Sequence, residues 1–302
     1  MLENSIFIYR SSCELCRSDR KKILLSKELT DHAVWDFLEP YYEGRINKSH
    51  LAGGKYEIAK CCQCGFIWQV YILNDEWMEK LYTFWISSEH SLKKKKYADI
   101  SLFSGYAREV EIIAFLLSTR VPSEINVLDF GMGWGYWCLM AKAFGYNTWG
   151  FELSKERIEF ARKNGIEVIE NFSDIGVKRF DFINAEQVFE HIPNPLETLK
   201  LLVHSLRNKG IMRIAVPNGR GIEKELSNPG WKASKNGIHP LEHINCFTHR
   251  TIIKFGEAAG LEVMKQPFLS GHRHDFKSYI KGVIGKYYRQ FFGTSLYFKK
   301  KD

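Results

Sequence analysis

A chain of 302 residues with 45% apolar residues and a formal charge of +8 holds enough hydrocarbon for one large packed domain or two smaller ones, and its charge bears on association with acidic partners without specifying a fold. No run of about 18 apolar residues free of charge is present, and residues 1–6 lack the basic and apolar segments of a secretion signal, so a soluble, cytoplasmic protein is expected. Seven cysteines, four of them in two Cys-x-x-Cys pairs, argue against a disulfide scaffold and for bound metal.

Residues 1–75 are rich in short aromatic and β-branched runs, 56–59 before the second cysteine pair and 66–71 after it, which alternate like the strands of a small ribbon. Cys13-Glu14-Leu15-Cys16 and Cys61-Cys62-Gln63-Cys64-Gly65 each present two thiolates on a tight turn, the arrangement that tetrahedral zinc needs, with Cys62 standing beside Cys61 as a competing ligand. Cys13, Cys16, Cys61 and Cys64 would close the coordination sphere, which makes the zinc structural: it holds a small domain together and activates no water. Asp75 can cap a helix running through residue 82. A longer amphipathic helix covers 100–117, where Leu102, Tyr106, Val110, Ile113 and Leu117 recur at helical spacing, and Pro122 ends it. Residues 76–123 therefore read as a helical linker or cover.

Beyond Pro122 the pattern changes to strand, glycine turn and helix, repeated. Residues 125–130 form a strand, 136–144 a helix stopped by Gly145, 148–151 a strand, and 155–163 a helix stopped by Asn164-Gly165. Strands at 168–169, 180–185 and 211–216 follow, with a helix at 195–206 between the last two. Such alternation implies parallel strands with right-handed crossovers, hence an α/β, doubly wound sheet over residues 124–266. Residues 267–302 read as a basic C-terminal extension, with Arg273, Lys277, Lys281, Lys286 and Arg289 ahead of Lys299, Lys300 and Lys301, either a solvated face or a grip for an acidic partner.

The sharpest local signal is Val127-Leu128-Asp129-Phe130-Gly131-Met132-Gly133-Trp134-Gly135. In an open parallel sheet, ligands collect at the carboxyl ends of the strands, where a glycine turn lets backbone approach them closely. The spacing is Gly-x-Gly-x-Gly, unlike the Gly-x-Gly-x-x-Gly of a pyrophosphate cradle. Asp129 ends its strand where a carboxylate can meet a ligand's ammonium through a water or a backbone amide. Glu152 ends the next strand, where two carboxylate oxygens can accept both hydroxyls of an unphosphorylated ribose.

The loop from Asp129 to Gly135 and the later Glu152 resemble the first two cofactor motifs of class I S-adenosylmethionine-dependent methyltransferases. Phe180-Asp181-Phe182-Ile183 resembles that family's fourth strand, and Val188-Phe189-Glu190-His191-Ile192-Pro193 the segment after it. The resemblance spans about residues 124–265 and implies a Rossmann-like, seven-stranded methyltransferase sheet. It implies further that Gly131, Gly133 and Gly135 hold the methionine moiety of S-adenosylmethionine, that Glu152 with Leu153 holds the ribose, that Asn171 and Phe172 flank the adenine, and that Ala185, Glu186 and Gln187 line the methionine end. A small N-terminal zinc ribbon joined to such a domain resembles the bacterial sugar methyltransferases, including those that methylate carbon on nucleotide-linked deoxysugars.

Methyl transfer is an in-line displacement on an activated donor, so the enzyme chiefly aligns the acceptor, and a histidine or carboxylate at the acceptor proton helps. His239-Pro240-Leu241-Glu242-His243 packs two histidines and a carboxylate into five residues after a loop at 218–237 and before a helix capped by Thr248 and stopped by Gly260. In the family this loop covers the acceptor pocket, and Glu242-His243 matches the pair of the carbon methyltransferases. Relatives carry a tyrosine two residues earlier, where this chain has Pro240, which leaves O-methylation at least as much expected as C-methylation. His243, Glu242, His191 and His239 are the catalytic candidates, acting on a small-molecule acceptor such as a nucleotide-linked sugar or a surface-glycan precursor. The rival readings are an RNA methyltransferase that grips nucleic acid with the ribbon and basic tail, and an inactive zinc-ribbon adaptor.

Overall fold

The structure, a computed structural model, describes residues 6–265, 267, 285, 288 and 291–301. In chain order its first elements are β1 (Phe7–Tyr9), β2 (Lys21–Glu28), α1 (His32–Tyr41), β3 (Lys55–Cys61), β4 (Ile67–Gln69), β5 (Tyr71–Leu73), α2 (Asp75–Lys80), α3 (Ser88–Lys96) and α4 (Ile100–Leu116). Then follow β6 (Asn126–Phe130), α5 (Tyr136–Ala143), β7 (Asn147–Phe151), α6 (Lys155–Lys163), β8 (Glu167–Ile169), α7 (Phe172–Ile175), β9 (Phe180–Glu186), α8 (Pro195–Ser205) and β10 (Leu206–Ala215). The last are α9 (Ile222–Leu226), β11 (Asn245–Cys246), α10 (His249–Ala258), β12 (Leu261–Val263) and β13 (Ser295–Lys300). None of the described helices is long and apolar enough to cross a membrane.

The alternating half of the chain builds one seven-stranded sheet in the order β12-β13-β10-β9-β6-β7-β8. Strands β6 to β10 run parallel. β13 runs antiparallel to both β10 and β12. From β6 the chain winds outward through β7 and β8, then returns to the other side of β6 for β9 and β10. That reversal is the topological switch point at which an open α/β sheet leaves a ligand crevice. Strands buried on both faces need continuous apolar runs, and Val127, Leu128, Phe182, Ile183 and Ile214 are all at most 1% exposed. Val110 and Ile113 of α4 pack with Trp137, Cys138 and Ala141 of α5 in this unit's core.

The chain folds into two compact units that alternate along the sequence: residues 1–91, 189–195 and 217–254 form one, and 92–188, 196–216 and 255–302 the other. This differs from the consecutive division into 1–75, 76–123, 124–266 and 267–302. In the first unit the ribbon strands are joined by one from far downstream, giving a sheet ordered β11-β4-β3-β2, with β1 and β5 as a separate antiparallel pair. The physical reason is buried apolar surface: Tyr42, Tyr56 and Ile58 share a core with Ile222, Leu226, Trp231, Ile238 and Leu241. The Tyr56 ring stacks on Trp231 at 5.7 Å, and its hydroxyl donates to the Ile238 carbonyl.

The end of the chain is likewise no mere extension. Lys299 and Lys300 belong to β13, whose Leu296 and Phe298 are fully buried in the sheet, a placement that the Leu-Tyr-Phe run at 296–298 could have signalled. Arg273, Lys277, Lys281, Lys286 and Arg289 lie outside the described residues.

Two helix boundaries also move. Asn74, not Asp75, caps α2, its Oδ1 accepting from Trp77 N at 3.0 Å, which leaves Asp75 in the first turn facing the positive end of the helix. α4 starts at its Asp99 cap and ends at Leu116, well before Pro122, with Leu117 N–H donating to the Ile113 carbonyl at 2.9 Å at its end.

Phe298→Ala should destabilise the fold by about 3–5 kcal/mol in urea melts, the cost of emptying a large buried aromatic site. A loss below about 1 kcal/mol would show β13 to be a dispensable appendage.

Candidate functional site

Between β6 and α5 the backbone turns through three positive-φ glycines. Gly131, at φ +78°, has room for no side chain, since a Cβ there would fall 2.5 Å from Val188 Cγ2. Gly135, at φ +75°, caps α5, and a Cβ would fall 2.5 Å from Ile166 Cδ1. The N–H groups of Gly131 and Met132 both donate to the Phe151 carbonyl, at 2.9 and 3.0 Å. Gly133 N–H donates to Glu152 Oε2 at 3.0 Å, while Oε1 accepts from Leu153 and Ser154 N–H at 2.9 and 3.0 Å. Arg157 adds an ion pair at 3.5 Å. The Glu152 carboxylate is thereby locked at the carboxyl end of β7.

Asp129 is buried and accepts from Asn184 Nδ2 at 2.7 Å. Asn184 Oδ1 accepts from Arg213 Nη1 at 2.8 Å, and Arg213 also pairs with Glu109 at 2.8 Å and Glu186 at 3.4 Å. Burial pushes Asp129 up to about 7, against the opposing hydrogen bond from Asn184, and burial likewise raises Glu109 to about 7. Sequence reading missed Asn184, Arg213 and Glu109. The available signal was a polar residue inside an apolar strand, Phe-Ile-Asn-Ala for β9 and Ile-Met-Arg-Ile for β10.

The rings of Phe130 and Phe151 stack at 5.0 Å, and Phe172 lies about 6 Å from both, forming an aromatic platform beyond β6 and β7. Asn171, exposed, donates to Asp174 Oδ2 at 3.1 Å. Ala185 and Glu186 end β9, and Gln187 after them holds φ +55°, a strained conformation for a residue with a side chain, while its N–H donates to Ala215 O at 2.7 Å. The fold thus gathers Asp129, Gly131, Gly133, Gly135, Glu152, Leu153, Asn171, Phe172, Ala185, Glu186 and Gln187 at the carboxyl ends of β6 to β9, within one unit.

In the other unit, the sulfurs of Cys13, Cys16, Cys61 and Cys64 all lie within 4.8 Å of one another, with Cys13–Cys64 and Cys16–Cys61 at 3.5 Å. A tetrahedron with bonds of about 2.3 Å has edges of about 3.8 Å, so the four thiols fit a zinc ion. Cys61 Sγ accepts from the N–H groups of Gln63 and Cys64 at 3.4 Å, and Cys62 is exposed and outside the cluster. The hydrogen bond that Cys13 and Cys64 share lowers the Cys64 thiol and raises that of Cys13.

The same unit brings the histidines together. Gln69 of β4 donates through Nε2 to the carbonyls of His239 and His243, at 2.9 and 3.0 Å, and so holds their loop on the ribbon. The rings of His239 and His243 lie 3.8 Å apart, and those of His191 and His243 4.9 Å. His191 Nδ1 bonds the Glu242 carbonyl at 2.9 Å, and His243 Nδ1 the Asn236 carbonyl at 2.8 Å. Burial lowers His239 to about 4, and burial with the neighbouring imidazoles lowers His243 to about 2, so both rings are neutral. The Glu242 carboxyl is raised by burial and accepts from the Tyr42 hydroxyl at 3.0 Å. Tyr42, the cap at the end of α1, was not foreseen.

Asp129 carries a pH signature. Its carboxyl is raised from 3.8 to about 7, so the native chain keeps a proton that the unfolded chain releases near pH 4. This stabilisation is fully present below the unfolded value and is lost as pH rises through about 7. Unfolding free energy from urea titrations should therefore fall between about pH 4 and pH 7, and fall less in Asp129→Asn. An identical slope in the variant would place the proton elsewhere.

The methyltransferase domain family matches residues 103–266, more than half of the chain. No curated protein matches. Among solved structures the chain is similar to the plantazolicin methyltransferase BpumL in complex with a monoazolic desmethylplantazolicin analog and S-adenosylhomocysteine, with 18% identity, 75% of this chain and 94% of that chain covered and a TM-score of 0.49. It is also similar to an S-adenosylmethionine-dependent methyltransferase from Clostridium acetobutylicum, with 14% identity, 70% and 97% coverage and a TM-score of 0.47. A third similarity is to the 1,6-didemethyltoxoflavin-N1-methyltransferase of Burkholderia thailandensis, with 15% identity, 80% and 98% coverage and a TM-score of 0.46. The family match falls on the sheet whose switch point carries the glycine loop and Glu152, and on that ground the chain belongs to the methyltransferase domain family.

Proposed function

We propose that the protein transfers a methyl group from S-adenosylmethionine to oxygen or carbon of a small hydroxylated acceptor, a nucleotide-linked sugar or surface-glycan precursor, with a structural zinc in its ribbon. The observation that carries the donor is the Glu152 carboxylate, fixed by the backbone of its own strand end and of the glycine loop. Held in place before binding, it accepts ribose hydroxyls without losing further side-chain freedom. Phe172 with its aromatic neighbours offers the adenine an apolar face, and the backbone around Gln187 borders the methionine end. The donor supplies an electrophilic methyl on a sulfonium centre, so the protein has only to align the reactants.

The acceptor reading draws on an open groove of about 530 Å³ in the histidine-bearing unit, lined by Asp36, Phe37, Tyr41, Lys232 and Lys235 and not by the histidines themselves. Phe37 and Tyr41 stack at 4.9 Å along it, Lys232 and Lys235 supply two cations, and the Tyr41 ring lies 5.5 Å from that of His239. Aromatic rings beside lysines suit a base or sugar joined to phosphate. His191, His239, Glu242 and His243 are assigned to the acceptor.

Calorimetry with S-adenosylmethionine tests the donor assignment. Binding to the native protein and a loss of roughly 10- to 100-fold in Glu152→Ala are expected, as for losing hydrogen bonds to a charged group. No binding, or undiminished binding by the variant, would overturn it. For the ribbon, metal analysis should show bound zinc lost in Cys61→Ser and retained in Cys62→Ser. Zinc-free native protein would remove the metal from the proposal.

A further inference from the structure

Beside the cysteine cluster, one other group of side chains among the described residues has the geometry of a metal site: Glu190, His191 and His243, with one ligand atom from each within 4.8 Å of the others. They come from two segments about 50 residues apart, both inside the first unit. We infer that Glu190, His191 and His243 form a second metal centre, which takes a divalent transition-metal ion distinct from the ribbon's zinc.

The orientation of the two imidazoles supports this. A metal-bound histidine almost always donates its remaining ring N–H to a carbonyl or carboxylate, which fixes the tautomer and aims the other nitrogen at the ion. Both rings do so here, His191 through Nδ1 to the Glu242 carbonyl at 2.9 Å and His243 through Nδ1 to the Asn236 carbonyl at 2.8 Å. The nitrogen that each presents is therefore Nε2. His191 Nε2 stands 3.7 Å from Glu190 Oε1. That is too long for a hydrogen bond, yet close to the edge of about 3.4 Å expected between ligands with bonds of about 2.0–2.1 Å to a shared ion.

Burial points the same way. Glu190 is 0% and His243 8% exposed, while the His191 side chain is 22% exposed, so the cluster is enclosed and approached past one imidazole. Two imidazoles and one carboxylate suit zinc, iron(II), cobalt(II) or manganese(II) over calcium or magnesium, and three protein ligands leave a coordination position open. Resting on the methyl-transfer reading, that position would take an acceptor oxygen, and the ion would polarise the hydroxyl.

Cobalt(II) titration of the full chain, followed by absorbance and metal analysis, separates the two centres. The ribbon's cobalt shows thiolate charge-transfer absorbance. The proposed centre adds an equivalent that lacks it. Cys61→Ser should lose the first and keep the second. His243→Ala should keep the first and weaken the second by at least about 100-fold, more than the loss of an outer-shell partner costs. Glu190→Gln, nearly isosteric, provides a variant whose circular dichroism should match the native protein and whose second equivalent should be weakened similarly. Native protein that binds cobalt only with thiolate absorbance, or a second equivalent undiminished in both His243→Ala and Glu190→Gln, would overturn the proposal. Calorimetry with S-adenosylmethionine reads the methyl-transfer function separately, so metal binding without donor binding would sink that function and leave this centre standing.

Discussion

The buried guanidinium of Arg10 constrains the unit that carries the histidines. A cation in a protein interior is tolerated only when its donors are satisfied, and burial lowers Arg10 to about 10, still protonated at neutral pH. Its Nε and Nη2 donate to the Gln69 carbonyl at 3.0 and 2.8 Å, Nη2 also to the Ile244 carbonyl at 2.6 Å, and Nη1 to Asn245 Oδ1 at 2.9 Å. Asn245 in turn donates through Nδ2 to the carbonyls of Phe189 and Ile192, at 2.9 and 2.7 Å. One charge thus ties together the N-terminal strand, the ribbon, the segment flanking His191 and the loop flanking His243. None of these can move away without leaving a buried polar group unpaired.

That knot gives the cysteine cluster a role beyond local rigidity. Cys61 ends β3 and Cys64 precedes β4, and β4 carries Gln69, whose side chain holds the carbonyls of His239 and His243. The ribbon is therefore the floor on which the histidine loop rests. A metal in the ribbon would stabilise that loop through two strands and one amide side chain, without touching the chemistry.

The methyltransferase sheet uses the same device for a different purpose. Asp129, Asn184 and Arg213 form a buried polar chain that the half-buried Glu109 and Glu186 extend, next to the glycine loop. A connected network of this kind favours one arrangement of the elements it links, here β6, β9, β10 and α4. The glycine loop above them is shaped by sterics, with Val188 and Ile166 occupying the space where side chains at Gly131 and Gly135 would lie.

What the sequence determined by itself was local: the strand, turn and helix alternation from residue 125 onward, the glycine turn, the position of Glu152, and the two cysteine turns. Each depends on residues within a few positions of one another, through hydrophobic period, backbone conformation or ligand spacing, and these forces can be read along the chain. The pairing of segments distant in sequence was decided only in three dimensions. It placed Cys61 and not Cys62 in the cluster, put β13 in the sheet and β11 in the ribbon, and brought Tyr42 to Glu242 and Glu190 to the histidines. Their partners lie tens to hundreds of residues away, and what unites them is the burial of apolar surface and the need of buried polar groups for partners, which no local pattern encodes.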